Sequence, residues 1–263
     1  MKLAVITLNP KSEPVQLLTE SLLNQGLIVD EYYAVDGRET MPAMEKGEIL
    51  DQKLAMFNRR WPLTKTEVGC YLSHLRIIRN AYESGESHLC ILEDDVIVEP
   101  ELAEVLAHIT ALDDSAHFVR LMALKRRKRK WISALTDKYS LTRPLRGSLG
   151  TQGYVLNRVG MGRVLKYASV ISMPIDKFYD SFFLYGLNAY TVEPHVIHER
   201  HESSSIIKTE GKVMPGIFLW MGHRLLKLYR SLHRTKNYLL NYSHYNPAQY
   251  PNKDISKSSR FRD

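Results

Sequence analysis

His88-Leu89-Cys90-Ile91-Leu92-Glu93-Asp94-Asp95 is the stretch on which the reading of this 263-residue chain turns. An apolar run of strand length ends in three consecutive acids. Such a run suits a strand buried on both faces of a sheet. Three adjoining carboxylates repel one another, so a chain sets them at the end of a buried strand where something offsets the charge. A divalent cation does so, because hard cations take carboxylate oxygens. In open α/β sheets ligands sit outside the carboxyl ends of the strands, and this cluster falls there. The competing reading of the tripeptide alone is a solvated acidic turn.

Outward from that strand, apolar runs and helical patterns alternate. Leu3 to Leu8, Tyr32 to Val35, Phe118 to Leu124, Gly153 to Leu156 and Ala189 to Val192 read as strands. Thr64-Lys65-Thr66-Glu67 is a capping box, and Val68, Leu72, Leu75, Ile78 and Tyr82 follow at helical spacing, with Gly85 as the stop. Helices are also expected over Val15–Asn24, from Pro100 to about Leu112, from about Gly160 to Ala168, and over Asp176–Leu184. Residues 125 to 149 read as basic and irregular. Alternating strands and helices predict a mostly parallel α/β sheet.

Composition is that of a globular protein, with 44% hydrophobic and 25% charged residues. Net charge is +7, unevenly placed. Residues 211–263 hold 10 Lys/Arg and 2 Asp/Glu, against 26 and 27 in the other 210 residues. The basicity therefore belongs to the tail and to the run Lys125-Arg126-Arg127-Lys128-Arg129-Lys130, which reads as a solvated loop or interaction patch. Two cysteines, Cys70 and Cys90, suggest a reducing compartment and read as small buried apolar residues. The first apolar run is too short for a signal peptide, and no stretch reaches the roughly 18 apolar residues of a membrane span. These features point to a cytoplasmic location. Neither a P-loop nor a G-x-G-x-x-G after a strand is present.

Taken in order, several segments resemble glycosyltransferase family 25, the lipopolysaccharide and lipooligosaccharide biosynthesis group. They are Ala34-Val35-Asp36-Gly37, Glu67-Val68-Gly69-Cys70-Tyr71-Leu72-Ser73-His74, Ile91-Leu92-Glu93-Asp94-Asp95, Gly150-Thr151-Gln152-Gly153-Tyr154, Pro174-Ile175-Asp176, and a late histidine-rich segment ending in Ser204-Ser205-Ile206. The likeness runs from residue 1 to about residue 210. It implies a GT-A-type fold, with a central sheet flanked by helices and an acceptor site beside it. It also implies a UDP-sugar donor (UDP-galactose or UDP-glucose), a glycan or lipid-linked glycan acceptor, and inversion at the anomeric carbon. The acidic triplet stands where the family carries its DxD-like motif, with Glu93 in place of the first Asp.

Glycosyl transfer must stabilise a leaving diphosphate, deprotonate an acceptor hydroxyl and pass through an oxocarbenium-like state. For the first need, Asp95 and Glu93 are the expected metal ligands with Asp94 beside them, for Mn²⁺ in preference to Mg²⁺. His195, His198 and His201 are candidates for a late ligand. His201 is favoured because it resembles the late histidine of the related collagen galactosyltransferases. For the second need, the Pro-x-Asp resemblance favours Asp176 as general base. Its competing role is a plain helix cap, and Asp180 and Glu210 stay open as alternatives. Donor binding is expected from Thr7 and Leu8 after the first strand, from Asp36 and Gly37, from Ser73 and His74 near a helix start, and from Gly153 in the wall under the sugar.

The expected organisation is a catalytic domain over 1–210 and a basic amphipathic helical tail over 211–263. In the tail Phe218, Met221, Leu225, Leu228 and Leu232 share one stripe, and His223, Lys227, Arg230 and Arg234 lie opposite. A basic amphipathic helix with Trp220 suits an anionic membrane surface, which would make the protein peripheral on the inner face of the inner membrane. Two other classes compete: a basic nucleic-acid-binding protein, and a catalytically inactive sugar-binding relative. Charge confined to the tail and one loop, without a nucleic-acid module, argues against the first.

Overall fold

The computed structural model describes residues 1–125, 127–200, 216–248 and 254–255, apart from the side chains of Phe218, Asp254 and Ile255. The first half runs β1 (Lys2–Thr7), α1 (Glu13–Asn24), β2 (Asp30–Tyr33), β3 (Ile49–Leu50), α2 (Gln52–Arg59), α3 (Lys65–Glu83), β4 (His88–Glu93), β5 (Val96–Val98), α4 (Leu102–Thr110) and β6 (Phe118–Arg120). Then come β7 (Arg129–Ala134), β8 (Ser140–Pro144), β9 (Gly153–Asn157), α5 (Arg158–Tyr167), β10 (Val170–Ile171), α6 (Ile175–Asp180), α7 (Phe182–Tyr185), β11 (Ala189–Glu193) and β12 (Ile197–Glu199). The C-terminal part adds α8 (Ile217–Leu240), α9 (Tyr242–Tyr245) and β13 (Asp254–Ile255).

Among the described residues, nine strands form one sheet in the order β13-β7-β8-β11-β6-β9-β4-β1-β2. The expected mostly parallel α/β sheet is present: β2, β1, β4, β6, β11 and β7 run one way. Only β9, β8 and β13 oppose them.

The two-residue period of a strand assigns the covering layers. Leu3, Val5, Cys90 and Leu92 face α1 and α4, meeting Leu18, Leu22, Val105 and Ile109. Ala4, Ile6, Leu89 and Ile91 face α3, α5 and α6, meeting Leu72, Leu75, Val164 and Phe178. Both faces of β1 and β4 are thus covered, which is why their sequences are continuously apolar. The same parity turns Glu93 toward α3.

Helix α3 begins as expected. Thr64 Oγ1 accepts from Glu67 N at 3.2 Å and Glu67 Oε2 accepts from Thr64 N at 2.9 Å, closing the capping box. Such caps contribute about 1 kcal/mol. The start of α3 lies tight on the loop after β2: a Cβ on Gly37 would strike the Lys65 carbonyl, and one on Gly69 would lie 2.6 Å from the Val35 carbonyl oxygen.

Three expectations need correction. The stretch expected to be irregular holds two strands, β7 and β8, which form a hairpin within the sheet. Arg129 and Lys130 are buried there, with Arg129 ion-paired to Glu193. The long strand expected at Phe118–Leu124 pairs only over Phe118–Arg120, and the helix over 176–184 breaks at Ser181 into α6 and α7. The end of the tail is also docked. Tyr245 of α9 is 2% exposed, and the buried Arg143 guanidinium lies 4.4 Å from its ring and 5.1 Å from that of Tyr190.

Helix α8 packs on α2 by its polar side. His223 Nδ1 donates to the Phe57 carbonyl at 3.2 Å, and Arg230 donates to Asn58 Oδ1 at 2.7 Å. Its apolar stripe faces outward: Leu225, Leu228 and Leu232 are 65%, 57% and 61% exposed. No helix of the described residues is long and apolar enough to cross a membrane.

Candidate functional site

Acids from several elements gather at the carboxyl end of β4. Glu93 ends the strand, and Asp94 and Asp95 form the turn into β5. Strand β12 pairs with β5, setting Glu199 opposite Val96, and Arg200 N donates to the Asp95 carbonyl at 2.7 Å. Glu199 thereby joins the cluster as a fourth carboxylate. Nothing in the sequence announced it, because the β5–β12 pairing is non-local.

The two ends of the triplet are treated in opposite ways. Burial opposes ionisation of Glu93, but hydrogen bonds from His74 and Thr151 outweigh it and hold the carboxyl below the usual range. His74 Nε2 lies 3.3 Å from Glu93 Oε1, and Thr151 Oγ1 donates to the same oxygen at 2.6 Å. Asp95 is pushed up to about 7, by desolvation first and then by repulsion from Glu93, Asp94 and Glu199. An excess of negative charge at a solvent-reached turn, offered by hard oxygen donors, is the donor set that Mn²⁺ or Mg²⁺ takes.

Behind Glu93 runs a buried relay. His74 is fully buried on α3, and its Nδ1 lies 2.8 Å from Tyr154 Oη. Tyr179 Oη donates to Tyr154 Oη at 3.0 Å. With Glu93 ionised, the consistent assignment puts the ring proton on Nε2, donating to Glu93, while Nδ1 accepts from Tyr154. Tyr154 is paired across the sheet with Ile91, two residues before Glu93 on the same face.

Cys70 departs from its reading as a buried apolar residue: it is exposed, one turn before His74. Its thiol is raised well above the ordinary value by desolvation and then by the charges of Glu93, Asp176, Glu67 and Asp95.

Asp176 lies in the first turn of α6, where Pro174 rather than Asp176 is the cap. Its carboxyl is raised by burial and by Asp180, against lowering by Lys177 and Arg120. Asp180 is tied down instead: Oδ1 accepts from Leu149 N at 3.1 Å and lies 3.4 Å from Arg120.

Other expected donor-site residues hold structure. His74 reaches no solvent and positions Glu93. Ser73 Oγ donates to the Gly69 carbonyl and accepts from Val35 N, each at 2.8 Å. Gly153 is buried, and a Cβ there would collide with Ile197 and lie 2.8 Å from Leu92. Gly37 serves the α3 contact already described.

Asp36 is exposed and paired with Arg38 at 2.6 Å, whose hydrogen bonds lower its carboxyl to about 2. Thr7 is buried, its Oγ1 accepting from Asn9 N at 3.0 Å, while Leu8 is exposed two residues beyond Ile6, the last residue of β1 paired with β4. His195 Nε2 accepts from Ala123 N at 3.2 Å, and His198 Nε2 lies 2.6 Å from Glu99 Oε1, so both are engaged elsewhere. His201 and Glu210 lie outside the described residues.

The profile of glycosyltransferase family 25 (LPS biosynthesis protein) matches residues 1–179. The chain belongs to that family. It is 26% identical over 167 residues to the lacto-N-neotetraose biosynthesis glycosyltransferase LgtE of Neisseria meningitidis serogroup B (strain ATCC BAA-335 / MC58), covering 59% of this chain and 60% of that protein. It is 27% identical over 172 residues to a glycosyltransferase 25 family member of Anopheles gambiae, covering 60% of this chain and 27% of that protein. The match thus spans less than two thirds of either relative. A solved glycosyltransferase involved in glycosylating the major capsid of PBCV-1 is 14% identical, covering 69% of this chain and 66% of that one. Its TM-score of 0.29 is too low to bear on fold or function.

Proposed function

We propose that this protein is a metal-dependent inverting glycosyltransferase. It moves a hexose, galactose before glucose, from a UDP-sugar to a lipooligosaccharide- or lipopolysaccharide-type glycan. The observation that carries this reading is the convergence of Glu93, Asp94, Asp95 and Glu199 at the carboxyl end of β4.

In this reading Asp95 and Glu93 hold the divalent ion, with His201 as the late ligand. A bound Mn²⁺ or Mg²⁺ would supply Lewis acidity to the departing diphosphate. The His74–Tyr154–Tyr179 relay and Thr151 keep Glu93 ionised and fixed. Leu8, Asp36 and Asp94 face the donor. Asp176 takes the proton of the acceptor hydroxyl as its oxygen attacks the anomeric carbon from the side opposite the diphosphate. Burial raises its carboxyl toward the pH at which a general base works well.

A peripheral position on the cytoplasmic face of an anionic membrane is part of the proposal. The outward stripe of α8 carries Trp220, Leu225, Leu228 and Leu232, and the helix contains no Asp or Glu. Nucleic-acid binding is disfavoured, because Arg129, Lys130 and Arg143 are buried in the sheet.

The test is a screen of nucleotide sugars with Mn²⁺, read by thermal shift and by transfer to a lipooligosaccharide acceptor. A preferred UDP-hexose at 100 times its Kd should stabilise the protein by about 2.7 kcal/mol. If every UDP-hexose leaves both stability and turnover unchanged, the reading is wrong.

A further inference from the structure

Cys70 and His74 stand four residues apart on α3, the spacing that puts two side chains on one helix face. Glu93 arrives from the end of β4. One ligand atom of each, the thiol sulfur, an imidazole nitrogen and a carboxylate oxygen, lies within 4.8 Å of the others. The nitrogen facing Glu93 is Nε2, since Nδ1 is taken by Tyr154.

We propose that Cys70, His74 and Glu93 form a binding site for a thiophilic divalent ion of the Zn²⁺ class, separate in kind from the hard-ion set at the acidic turn. Three protein ligands of S, N and O type with a fourth position open is the pattern of exchangeable zinc sites. A thiolate disfavours Mn²⁺ and Mg²⁺, so donor chemistry alone sorts the two classes of ion. The surroundings are those of a built site. Tyr154, itself held by Tyr179, fixes the far nitrogen of His74, and Thr151 fixes Glu93. Exposed Cys70 gives an ion a route in from solvent.

Binding keeps the imidazole neutral: its proton moves from Nε2 to Nδ1, where the Tyr154 oxygen accepts it. The thiol releases one proton to solvent. Because the two ions would draw on the same Glu93 carboxylate, a zinc-class ion would compete with the hard ion at the β4 tip and act as a brake. That consequence rests on the proposed transferase reading, whereas the binding site does not.

Co²⁺ titration of the full-length, tag-free protein without nucleotide sugar tests the site. The expected result is one Co²⁺ per chain with a thiolate-to-cobalt charge-transfer band, which Zn²⁺ displaces. Cys70→Ser should abolish the band and weaken Zn²⁺ binding by about 10- to 100-fold. Asp95→Asn should keep both. Circular dichroism checks that the variants fold. The proposal is overturned if no charge-transfer band forms, if the band survives in Cys70→Ser, or if Asp95→Asn removes it. None of these readouts depends on turnover, so a failed transferase assay leaves the site standing, and the converse also holds.

Discussion

The tip of β4 and helix α8 break the ordinary partition of a folded chain in opposite senses. At β4 the fold draws charge inward, placing an ionised glutamate against a fully buried histidine and crowding acids around it. At α8 it turns apolar side chains outward and packs the helix through His223 and Arg230. Carboxylates crowded without a cation, and leucines left in water, are both unfavourable in the isolated chain. Each becomes reasonable once a partner is supplied, a cation at one place and an anionic apolar surface at the other. Local departures from self-consistent folding are where function is expected.

Four experiments would break or sharpen that contrast. Asp95→Asn should lower metal-dependent turnover the most, by on the order of 10³-fold, as expected when Lewis-acid stabilisation worth several kcal/mol is lost. Unchanged Mn²⁺-dependent rates would remove the β4 tip from the chemistry.

Asp176→Asn should lower kcat by roughly 10²–10³-fold and remove the acid limb of the pH–rate profile. Its folded carboxyl is raised, so the ionised form is disfavoured in the folded state. Stability is therefore greatest below the ordinary carboxylate range and declines as pH rises through the raised value. The Asn variant should lose that decline, so its urea midpoint should exceed the parent's at pH 8. A variant less stable than the parent at pH 8, with an intact pH profile, would assign Asp176 to capping.

Tyr154→Phe should reduce stability by about 1–3 kcal/mol, because His74 Nδ1 is left buried without its donor. If denaturant unfolding gives no loss, the relay does not hold Glu93 in place.

The double variant Leu225→Glu, Leu228→Glu should move stability least, within about 0.5 kcal/mol per site, since both side chains are already in solvent. It should nevertheless abolish co-sedimentation with anionic vesicles. Large destabilisation instead would mean that the stripe is packed against protein. Point variants suit this test better than removing the tail, because Tyr245 is part of the body's core around Arg143.

Much of this was legible in the chain. The run from His88 to Leu92 was legible as a buried strand ending in acids. The capping box placed the start of α3 to the residue. In the run at 125–130, Lys125 and Lys128 are exposed as a solvated loop would have them, but Arg129 and Lys130 are buried, because local charge density carries no information about a distant glutamate. Arg129 is buried through Glu193, more than sixty residues on. Ser73 and His74, expected in donor binding, bond to Val35, Gly69, Tyr154 and Glu93 within the fold. Their spacing on a helix was readable, whereas their facing Val35 and Glu93 was not.

What the sequence alone determined is therefore local: strand and helix periods, caps, the acidic triplet and the amphipathic register of the tail. Only the tertiary structure decided that Glu199 joins the triplet, that Cys70 is exposed, that Asp180 is pinned while Asp176 is not, and that α8 turns its leucines outward. The physical reason is that periodicity fixes which residues share a face. Which face meets protein and which meets solvent is settled by packing between segments far apart in the chain.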